Sequence, residues 1–252
     1  MILFVFEGSV AEPTIFKSLH HLYLGAEEVK IIRYGNDLPS LYKKLRDNEY
    51  DLFRVLPFRE NGIEIPEGKR LDTLFSQVFL FFDYDFQNCM GTERLDSILK
   101  DMLDYFCDET GCGKLYVNYP MVESLKYTKE MPDSDFIGYI VSREDCALHK
   151  FKSNAEAFAY RQAKGYRFIN IEKIPPEEVK HNWEMLKLQN VSKANYICND
   201  KYEMPENKED ISQDKLFVAM KQKFVDVNQT VAILKGGSIN SHFHQQAAIT
   251  SF

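Results

Sequence analysis

The sequence lacks a disulfide framework and a cysteine-rich metal motif. Its 252 residues hold five cysteines, an odd number, and no two of them have C-x-x-C spacing. The cysteines are Cys89, Cys107, Cys112, Cys146 and Cys198. In a chain of this length, such a set indicates free thiols in a reducing compartment.

Long hydrophobic runs are also missing. No apolar stretch approaches the ~18 residues that a membrane span requires. The first residues, MILFVFEGS, carry no basic segment and are interrupted by Glu7, so they predict a strand rather than a signal peptide. We therefore expect a cytoplasmic protein that has no contact with a membrane.

The chain has no excess of positive charge. Its 31 Lys and Arg residues face 38 Asp and Glu residues, which leaves a net charge of −7. This balance excludes a globally basic nucleic-acid protein, so a role on nucleic acid would need a local basic surface or a metal that bridges to phosphate.

A nucleotide-binding loop is absent from the sequence as well. The pattern G-x-x-x-x-G-K-[ST] occurs nowhere, and Gly236-Gly237 indicates a turn rather than a phosphate loop. The chain has no visible means of binding ATP, so an energy-dependent activity would need a partner ATPase.

The sequence does contain an alternation of short apolar runs and amphipathic segments, with 44% hydrophobic residues. The apolar runs predict strands at 2–6, 28–34, 78–82 and 114–118, and the periodic segments predict helices that start near Pro13 and at 38–46 and 92–106. This alternation predicts an α/β fold, a mostly parallel sheet flanked by helices, over 1–130.

The remaining residues have a different character. Helical patterns at 152–164, 177–190 and 211–224 predict a mainly helical C-terminal region over 131–252, and a short strand is predicted at 230–234. We expect this region to be inserted into the sheet, to complete it or to be appended to it.

The stretch QVFLFFDYDFQN, residues 77–88, is the centre of the predicted sheet. Its unbroken apolar run predicts a strand buried on both faces, and Asp83 and Asp85 follow at the carboxyl end, where open α/β sheets bind ligands. Two residues apart on an extended chain, the two carboxylates point to the same side and repel each other, which favours a hard cation such as Mg²⁺ between them. The alternative is a turn in which an Asp caps the next helix.

Two more carboxylates fall at the same predicted edge. Glu7 ends the first strand, and Glu12 opens the following helix beside Pro13, where an acid suits the helix dipole. A third strand-to-helix junction carries Glu123. Lys114 and Lys126 are candidate phosphate partners or solvated surface residues.

These three junctions together resemble the Toprim family, and most closely the bacterial RloB-like proteins and Toprim proteins of anti-phage defence systems. The resemblance covers residues 1 to about 127. It is carried in order by Glu7-Gly8 with Glu12 and Phe16, by the D-x-D of Asp83 and Asp85, and by Asn118, Pro120 and Glu123.

The resemblance implies a Mg²⁺- or Mn²⁺-dependent endonuclease. Asp83 and Asp85 would hold the metal with Glu7, which would also act as general acid or base. Glu12 would assist catalysis or bind metal, and Asn118, Glu123 and Lys126 would be outer-shell or additional residues.

The same resemblance implies a DNA or RNA substrate, tRNA among the candidates, and the role of a defence effector working with a partner ATPase. Self-association into a homo-oligomer stays open. The alternative from the same resemblance is a Toprim-like docking or sensor module without catalysis.

Two other readings are weaker. A haloacid-dehalogenase-like phosphatase would use Asp83 as nucleophile and Asp85 as acid or base, but that family places its D-x-D on the first strand. His242 and His244 could bind a metal, although a solvated pair on a polar tail is the simpler interpretation.

Overall fold

The structure is a computed structural model that describes residues 1–64, 66, 73–158 and 164–236. Its first part alternates strands and helices: β1 (Ile2–Phe6), α1 (Ala11–Tyr23), β2 (Val29–Arg33), α2 (Leu38–Asp47), α3 (Leu52–Val55), β3 (Gln77–Asp83), α4 (Thr92–Tyr105), β4 (Cys107–Asp108) and β5 (Gly113–Asn118). These strands form one sheet in the order β2-β1-β3-β5-β4, parallel except for β4. The predicted α/β fold with a mostly parallel sheet is therefore confirmed.

Alternation along the strands produces two apolar faces. One face is aromatic and packs Phe16 of α1 against Phe4 and Phe6. The other face carries aliphatic residues and Phe82, and it is covered by α2 and α4. Burial of each Phe or Leu side chain contributes about 1.5–3 kcal/mol to the stability of the fold. This burial fixes the strand register and therefore which residues lie at the strand ends.

The helix boundaries of this part follow local signals. Asp37 caps α2 by accepting a hydrogen bond from the backbone N–H of Ser40 at 3.0 Å, and Pro39 lies in the first turn. Asp51 caps α3 in the same way. The predicted helices at 38–46 and 92–106 are confirmed to within one residue, whereas the two-residue strand β4 was not predicted.

The C-terminal part contains helices and one small sheet: β6 (Ile140–Ser142), α5 (Arg143–Ala147), α6 (Lys150–Phe158), α7 (Pro176–Asn199), α8 (Gln213–Met220), α9 (Asp226–Asn228) and β7 (Thr230–Ala232). Short 3₁₀ helices lie at Val122–Lys126, Phe136–Gly138, Lys164–Ile169 and Lys208–Ile211, and a π-helical turn at Lys221–Val225 joins α8 to α9. The mainly helical character of this part is confirmed.

Two predicted boundaries in this part were wrong. Helix α7 continues past residue 190 to Asn199, because Val191, Ala194 and Ile197 remain buried against the main core. The predicted helix 211–224 changes to a π-helical turn at Lys221. Residues 159–163 of the predicted helix 152–164 lie outside the described residues.

The C-terminal part meets the five-stranded sheet at the end of β5 through one isolated β-bridge. Strands β6 and β7 pair antiparallel, and the chain then forms a bridge in which Tyr119 and Leu234 exchange backbone hydrogen bonds of 2.9 and 2.8 Å. Gly236 follows against β5, where a Cβ atom would lie only 1.9 Å from the carbonyl oxygen of Val117. Only glycine fits this approach, so the C-terminal segment is held directly beside the end of β5.

Some predictions fall on residues that the structure does not describe. The pair His242 and His244, with the rest of 237–252, lies outside the described residues. All five cysteines are described and are free. Among the described residues, no helix is long and apolar enough to cross a membrane.

Candidate metal centre

Three parallel strands end at the same edge of the sheet and bring polar side chains together there. Glu7 follows β1, Asp83 ends β3, and Asn118 ends β5 directly opposite Asp83 in the strand register. The backbone N–H of Glu7 still bonds to the carbonyl of Phe81 at 3.0 Å, so the edge is ordered by sheet hydrogen bonds up to the acids themselves.

The central feature of this edge is a group of three carboxylates. Glu7, Asp83 and Asp85 each place one oxygen so that the three oxygens lie within 4.8 Å of one another. The backbone N–H of Asp83 donates a hydrogen bond of 2.9 Å to Oε2 of Glu7, which fixes one acid against the strand that carries the next. Such spacing suits three ligands of a single cation.

Asp85 reaches this group by a route that differs from the prediction. Strand β3 ends at Asp83, and Asp85 has a left-handed backbone, with φ of 48°. Its carbonyl accepts a 2.7 Å hydrogen bond from the N–H of Asn88, which closes a turn. The prediction that strand alternation places Asp83 and Asp85 on the same side is therefore wrong, because a turn and not an extended strand positions Asp85.

The alternative of a capping Asp is also contradicted. The residue that precedes helix α4 is Gly91, and no side chain caps its first turn. The carboxylates of Asp83 and Asp85 face Glu7 instead.

Glu12 is buried in the first turn of α1 and faces back toward the first strand. Its Oε1 accepts a 3.0 Å hydrogen bond from the N–H of Gly8. A Cβ atom on residue 8 would lie 2.5 Å from Oε2 of Glu12, so glycine at this position makes room for the carboxylate. The Glu-Gly-x-x-x-Glu spacing thus has a local steric cause.

A lysine that the sequence analysis missed lies behind the acids. Lys235 is buried, and its Nζ donates a 2.7 Å hydrogen bond to Oδ1 of Asn118, whose Nδ2 donates one of 2.8 Å to Oδ1 of Asp83. The only sequence signal was a Lys at the end of a predicted strand, just before Gly236. Its partner is 117 residues away, so no local pattern could have identified it.

Glu123 and Lys126 lie on the 3₁₀ helix that follows β5, and both interact with α6. Oε1 of Glu123 is 3.5 Å from Nζ of Lys152, whereas its Oε2 is buried and has no hydrogen-bond partner among the described residues. Lys126 forms an ion pair with Glu156 and lies 4.6 Å from the centre of the Tyr166 ring. Its charge is therefore already neutralised by a partner.

Tyr166 is the second residue that sequence reasoning missed. Its side chain is 7% exposed, and its hydroxyl is buried without a hydrogen-bond partner among the described residues. Burial and the charges of Glu123, Glu12 and Asp83, in that order, raise the pKa of Tyr166. The hydroxyl thus lies within electrostatic reach of the acids and stays protonated.

Lys114, by contrast, lies away from this edge. It is the second residue of β5, at the opposite end of that strand from Asn118, and its Nζ is 3.4 Å from Glu109. The suggestion that Lys114 contacts a phosphate at the site is therefore wrong, because a strand rises by about 3.3 Å per residue and separates the two ends.

The pKa values of the three clustered acids are all raised. Burial is the largest cause for each; for Glu7 the charges of Asp83 and Asp85 add to it. For Asp83 the hydrogen bond from Asn118 and the charge of Lys235 act in the opposite direction. These acids resist ionisation unless further positive charge is near.

The donor set fits a hard divalent cation. Every candidate ligand atom is a carboxylate oxygen, the type that Mg²⁺ and Mn²⁺ prefer, and no His or Cys belongs to the group. The buried Oε2 of Glu123, which has no described partner, adds an oxygen acceptor near the same acids. Among the described residues this is the group of metal-ligand type that the fold assembles.

Comparisons with known proteins identify no relative. No family model, no curated protein and no solved structure matches the chain. Its function is therefore inferred from the chemistry of this edge.

Proposed function

We propose that the chain is a metal-dependent nuclease of Toprim type that hydrolyses nucleic-acid phosphodiesters. The observation that carries this function is the approach of the Glu7, Asp83 and Asp85 oxygens to within 4.8 Å at the carboxyl edge of a parallel sheet. Burial raises the pKa of each acid and repulsion from neighbouring carboxylates adds to it, so the arrangement lowers stability unless a cation binds. A site that costs stability in this way favours a functional reading.

In the proposal, Glu7, Asp83 and Asp85 hold a Mg²⁺ or Mn²⁺ ion, and Glu12 and Glu123 are additional or outer-shell ligands. A bound divalent ion supplies positive charge that neutralises and orients a phosphate and lowers the pKa of a bound water. The chain has no other described group of three acids, histidines or cysteines with ligand spacing.

Three residues of the site have further roles in this proposal: Glu7, Lys235 and Asn118. Glu7 is the candidate general acid or base, and the hydrogen bond from the N–H of Asp83 to its Oε2 holds that carboxyl group within the cluster. Lys235 and Asn118 are positioning residues, since their chain of hydrogen bonds ends on Oδ1 of Asp83 and fixes that carboxylate.

The wider setting is part of the same proposal. The sequence has no phosphate-binding loop for ATP, so an ATP-dependent control would come from a partner ATPase, as the resemblance to Toprim defence proteins implies. DNA and RNA, including tRNA, share the phosphodiester bond that this chemistry attacks.

The test is a cleavage assay on plasmid DNA, single-stranded DNA and tRNA with Mg²⁺ or Mn²⁺. Wild type is compared with Glu7→Gln and Asp83→Asn, which keep the size of each side chain, and with Asp104→Asn as a control on the exposed face of α4. We expect metal-dependent cleavage that both site variants abolish and the control retains. The same assay is repeated with a candidate partner ATPase added.

Other outcomes select the alternatives. Hydrolysis of a phosphate monoester without cleavage of any nucleic acid would favour the phosphatase reading. Absence of cleavage with and without the ATPase, together with unchanged docking of Asp83→Asn on that ATPase, would favour a module without catalysis.

A further inference from the structure

A basic groove lies between α2 and α4 on the face of the sheet that these two helices cover. Its volume is 690 Å³. Three exposed cations line it, Lys43 and Arg46 from α2 and Arg94 from α4, and Asp47 is the one carboxylate in its lining. On a chain with a net charge of −7, this is a local reversal of sign.

The described part of the fold does not neutralise these three cations. None of them forms an ion pair with a residue in the described part of the chain, unlike Lys100 or Lys221, which pair with neighbouring carboxylates. The guanidinium of Arg46 lies 5.8 Å from the centre of the Tyr42 ring, and this contact orients its charge without neutralising it. Unpaired cations that share one groove are available to a polyanion.

The groove begins beside the carboxylates. Asn88 closes the turn that starts at Asp85. Its Nδ2 lies 3.5 Å from Oδ2 of Asp37, which caps α2. Its Oδ1 accepts a 3.1 Å hydrogen bond from the N–H of Met90. Met90 and Ser40 line the groove. Both walls of the groove are therefore tied to the turn that positions Asp85.

The same turn is held from the other side by a fourth cation. Arg143 of α5 donates a 3.1 Å hydrogen bond to the carbonyl of Phe86 and one of 3.0 Å to the carbonyl of Asn88. The turn is thus braced by two helices and by Arg143, so the distance from the carboxylates to the groove is fixed by structure.

A short piece of one strand can span the step from the carboxylates to the groove. Met90 is five residues after Asp85, and five fully extended residues would reach at most about 18 Å. The turn closed by Asn88 makes the actual separation shorter than this limit. A groove of this volume matches pockets that hold a small ligand, so it takes part of one strand and not a duplex.

We propose that the groove between α2 and α4 binds a single nucleic-acid strand through its phosphates, with Lys43, Arg46 and Arg94 as the contacts, and leads that strand to the carboxylates. The delivery step rests on the proposed nuclease function; the binding step does not. The common chemistry is the phosphodiester backbone, which DNA and RNA share.

The test measures binding separately from cleavage. Fluorescence anisotropy follows labelled oligo-dT and oligo-U of about 12 nucleotides, within the site sizes of single-strand binding folds, in buffer without divalent metal. The affinity is measured from about 50 to 200 mM salt, because the slope counts the phosphates that the protein neutralises. The two oligonucleotides decide between DNA and RNA.

The chain offers a matched control. A second groove of 480 Å³ between α4 and α8 is lined by Lys100 and Lys215, together with three Asp residues. Lys43→Gln/Arg94→Gln and Lys100→Gln/Lys215→Gln remove the same charge from exposed positions. We expect the first pair to weaken binding about tenfold and to reduce the salt slope by about 1.4, or ~0.7 for each lost phosphate contact. The control pair should change affinity less than threefold and leave the slope unchanged.

The outcomes separate this proposal from the nuclease proposal. Groove-dependent binding without any cleavage keeps the groove and overturns the nuclease. Cleavage with an unchanged KM in Lys43→Gln/Arg94→Gln overturns the groove and keeps the nuclease. Equal loss of binding in both pairs, or no binding by wild type at the lowest salt, also overturns the groove.

Discussion

The Nζ of Lys235 donates a hydrogen bond of 2.7 Å to Oδ1 of Asn118, although 117 residues separate them along the chain. The Nδ2 of Asn118 in turn donates a hydrogen bond of 2.8 Å to Oδ1 of Asp83. The C-terminal segment is thereby part of the site, since it places a buried cation behind acids that belong to the first strands. A chain cut before this segment would keep the acids and lose the positive charge behind them.

Replacement of Lys235 by Met should therefore weaken metal binding. The hydrogen bonds from Lys235 to Asn118 and from Asn118 to Asp83 hold that carboxylate in place, so without Lys235 the Asp83 ligand is less firmly positioned. The Oδ1 atom of Asn118 also loses its donor, which costs about 1–3 kcal/mol of stability. Calorimetric titration with Mn²⁺ and urea unfolding measure the two effects.

Lys193 provides the control for this experiment. It is also buried, but its Nζ donates to the backbone carbonyls of Phe136 and Tyr139, at 2.9 and 2.6 Å, and the acid that acts on it is Asp133. Lys193→Met should destabilise the fold and leave Mn²⁺ affinity unchanged. Equal affinity in wild type and Lys235→Met would contradict the role assigned to Lys235.

Gly8→Ala should reduce metal affinity and cleavage activity strongly while it lowers the free energy of unfolding only a little. The new Cβ would lie 2.5 Å from Oε2 of Glu12, and the end of that flexible side chain has to move away. We expect a cost of about 1–2 kcal/mol in the free energy of unfolding, with a larger relative loss in Mn²⁺ affinity. Gly138→Ala is the matched control, because nothing lies within 4 Å of its Cβ position; a similar affinity loss there would refute the steric explanation.

The positions of the acids could be predicted because each stands at the end of a recognisable element. Val78 to Phe82 is apolar without interruption, so the strand and its polar end at Asp83 are visible in the sequence. Glu12 likewise begins an amphipathic helix. These signals are local, and parallel pairing then brings the strand ends to one edge.

Residues outside these elements carried no such signal. The left-handed backbone of Asp85 could not be foreseen, since Asp is also common in extended strand ends and caps. Tyr166 follows Gly165 with φ of 58°, a rare conformation for an aromatic residue, and its place near the acids depends on contacts between distant segments. Long-range packing, rather than periodicity, decides such positions.

Stability without metal should fall as the pH rises. Burial raises the folded-state pKa of Asp83 above its ordinary value of 3.8 and that of Glu7 above 4.5, so the folded protein binds more protons than the unfolded chain between these values and the raised ones. The stability that protonation confers is complete below the unfolded pKa and is lost as the pH rises through the folded pKa. In EDTA, wild type should therefore be less stable at about pH 8 than at about pH 5.5.

Asp83→Asn removes one of these groups. We expect it to stabilise the metal-free protein at about pH 8 by about 1–3 kcal/mol, since each pKa unit corresponds to ~1.4 kcal/mol. Saturating Mg²⁺ should stabilise wild type, by about 2.7 kcal/mol at 100 times its Kd, and should not stabilise Asp83→Asn. Urea unfolding at both pH values measures these free energies, with Asp104→Asn as control. If the free energy of unfolding of wild type did not change with pH, the pKa values of the acids would not be raised in the folded protein.

Tyr166→Phe should lower activity while it leaves the fold intact. The buried hydroxyl of Tyr166 has no described hydrogen-bond partner, and a buried unpaired hydroxyl costs about 1–3 kcal/mol, so its removal should not reduce the free energy of unfolding. Because burial and the neighbouring acids keep the hydroxyl protonated, it is a donor that a group bound at the acids can use. Loss of one such donor lowers turnover by about 100-fold.

Tyr119→Phe is the control for this variant. The hydroxyl of Tyr119 is also buried without a described partner, but the charged side chain that acts on it is Asp96, on the other face of the sheet from Tyr166. Steady-state cleavage and thermal unfolding are measured for both. A drop in kcat for Tyr166→Phe alone, with both proteins as stable as wild type, assigns the hydroxyl to the reaction, and equal kcat in the two variants removes it from the site.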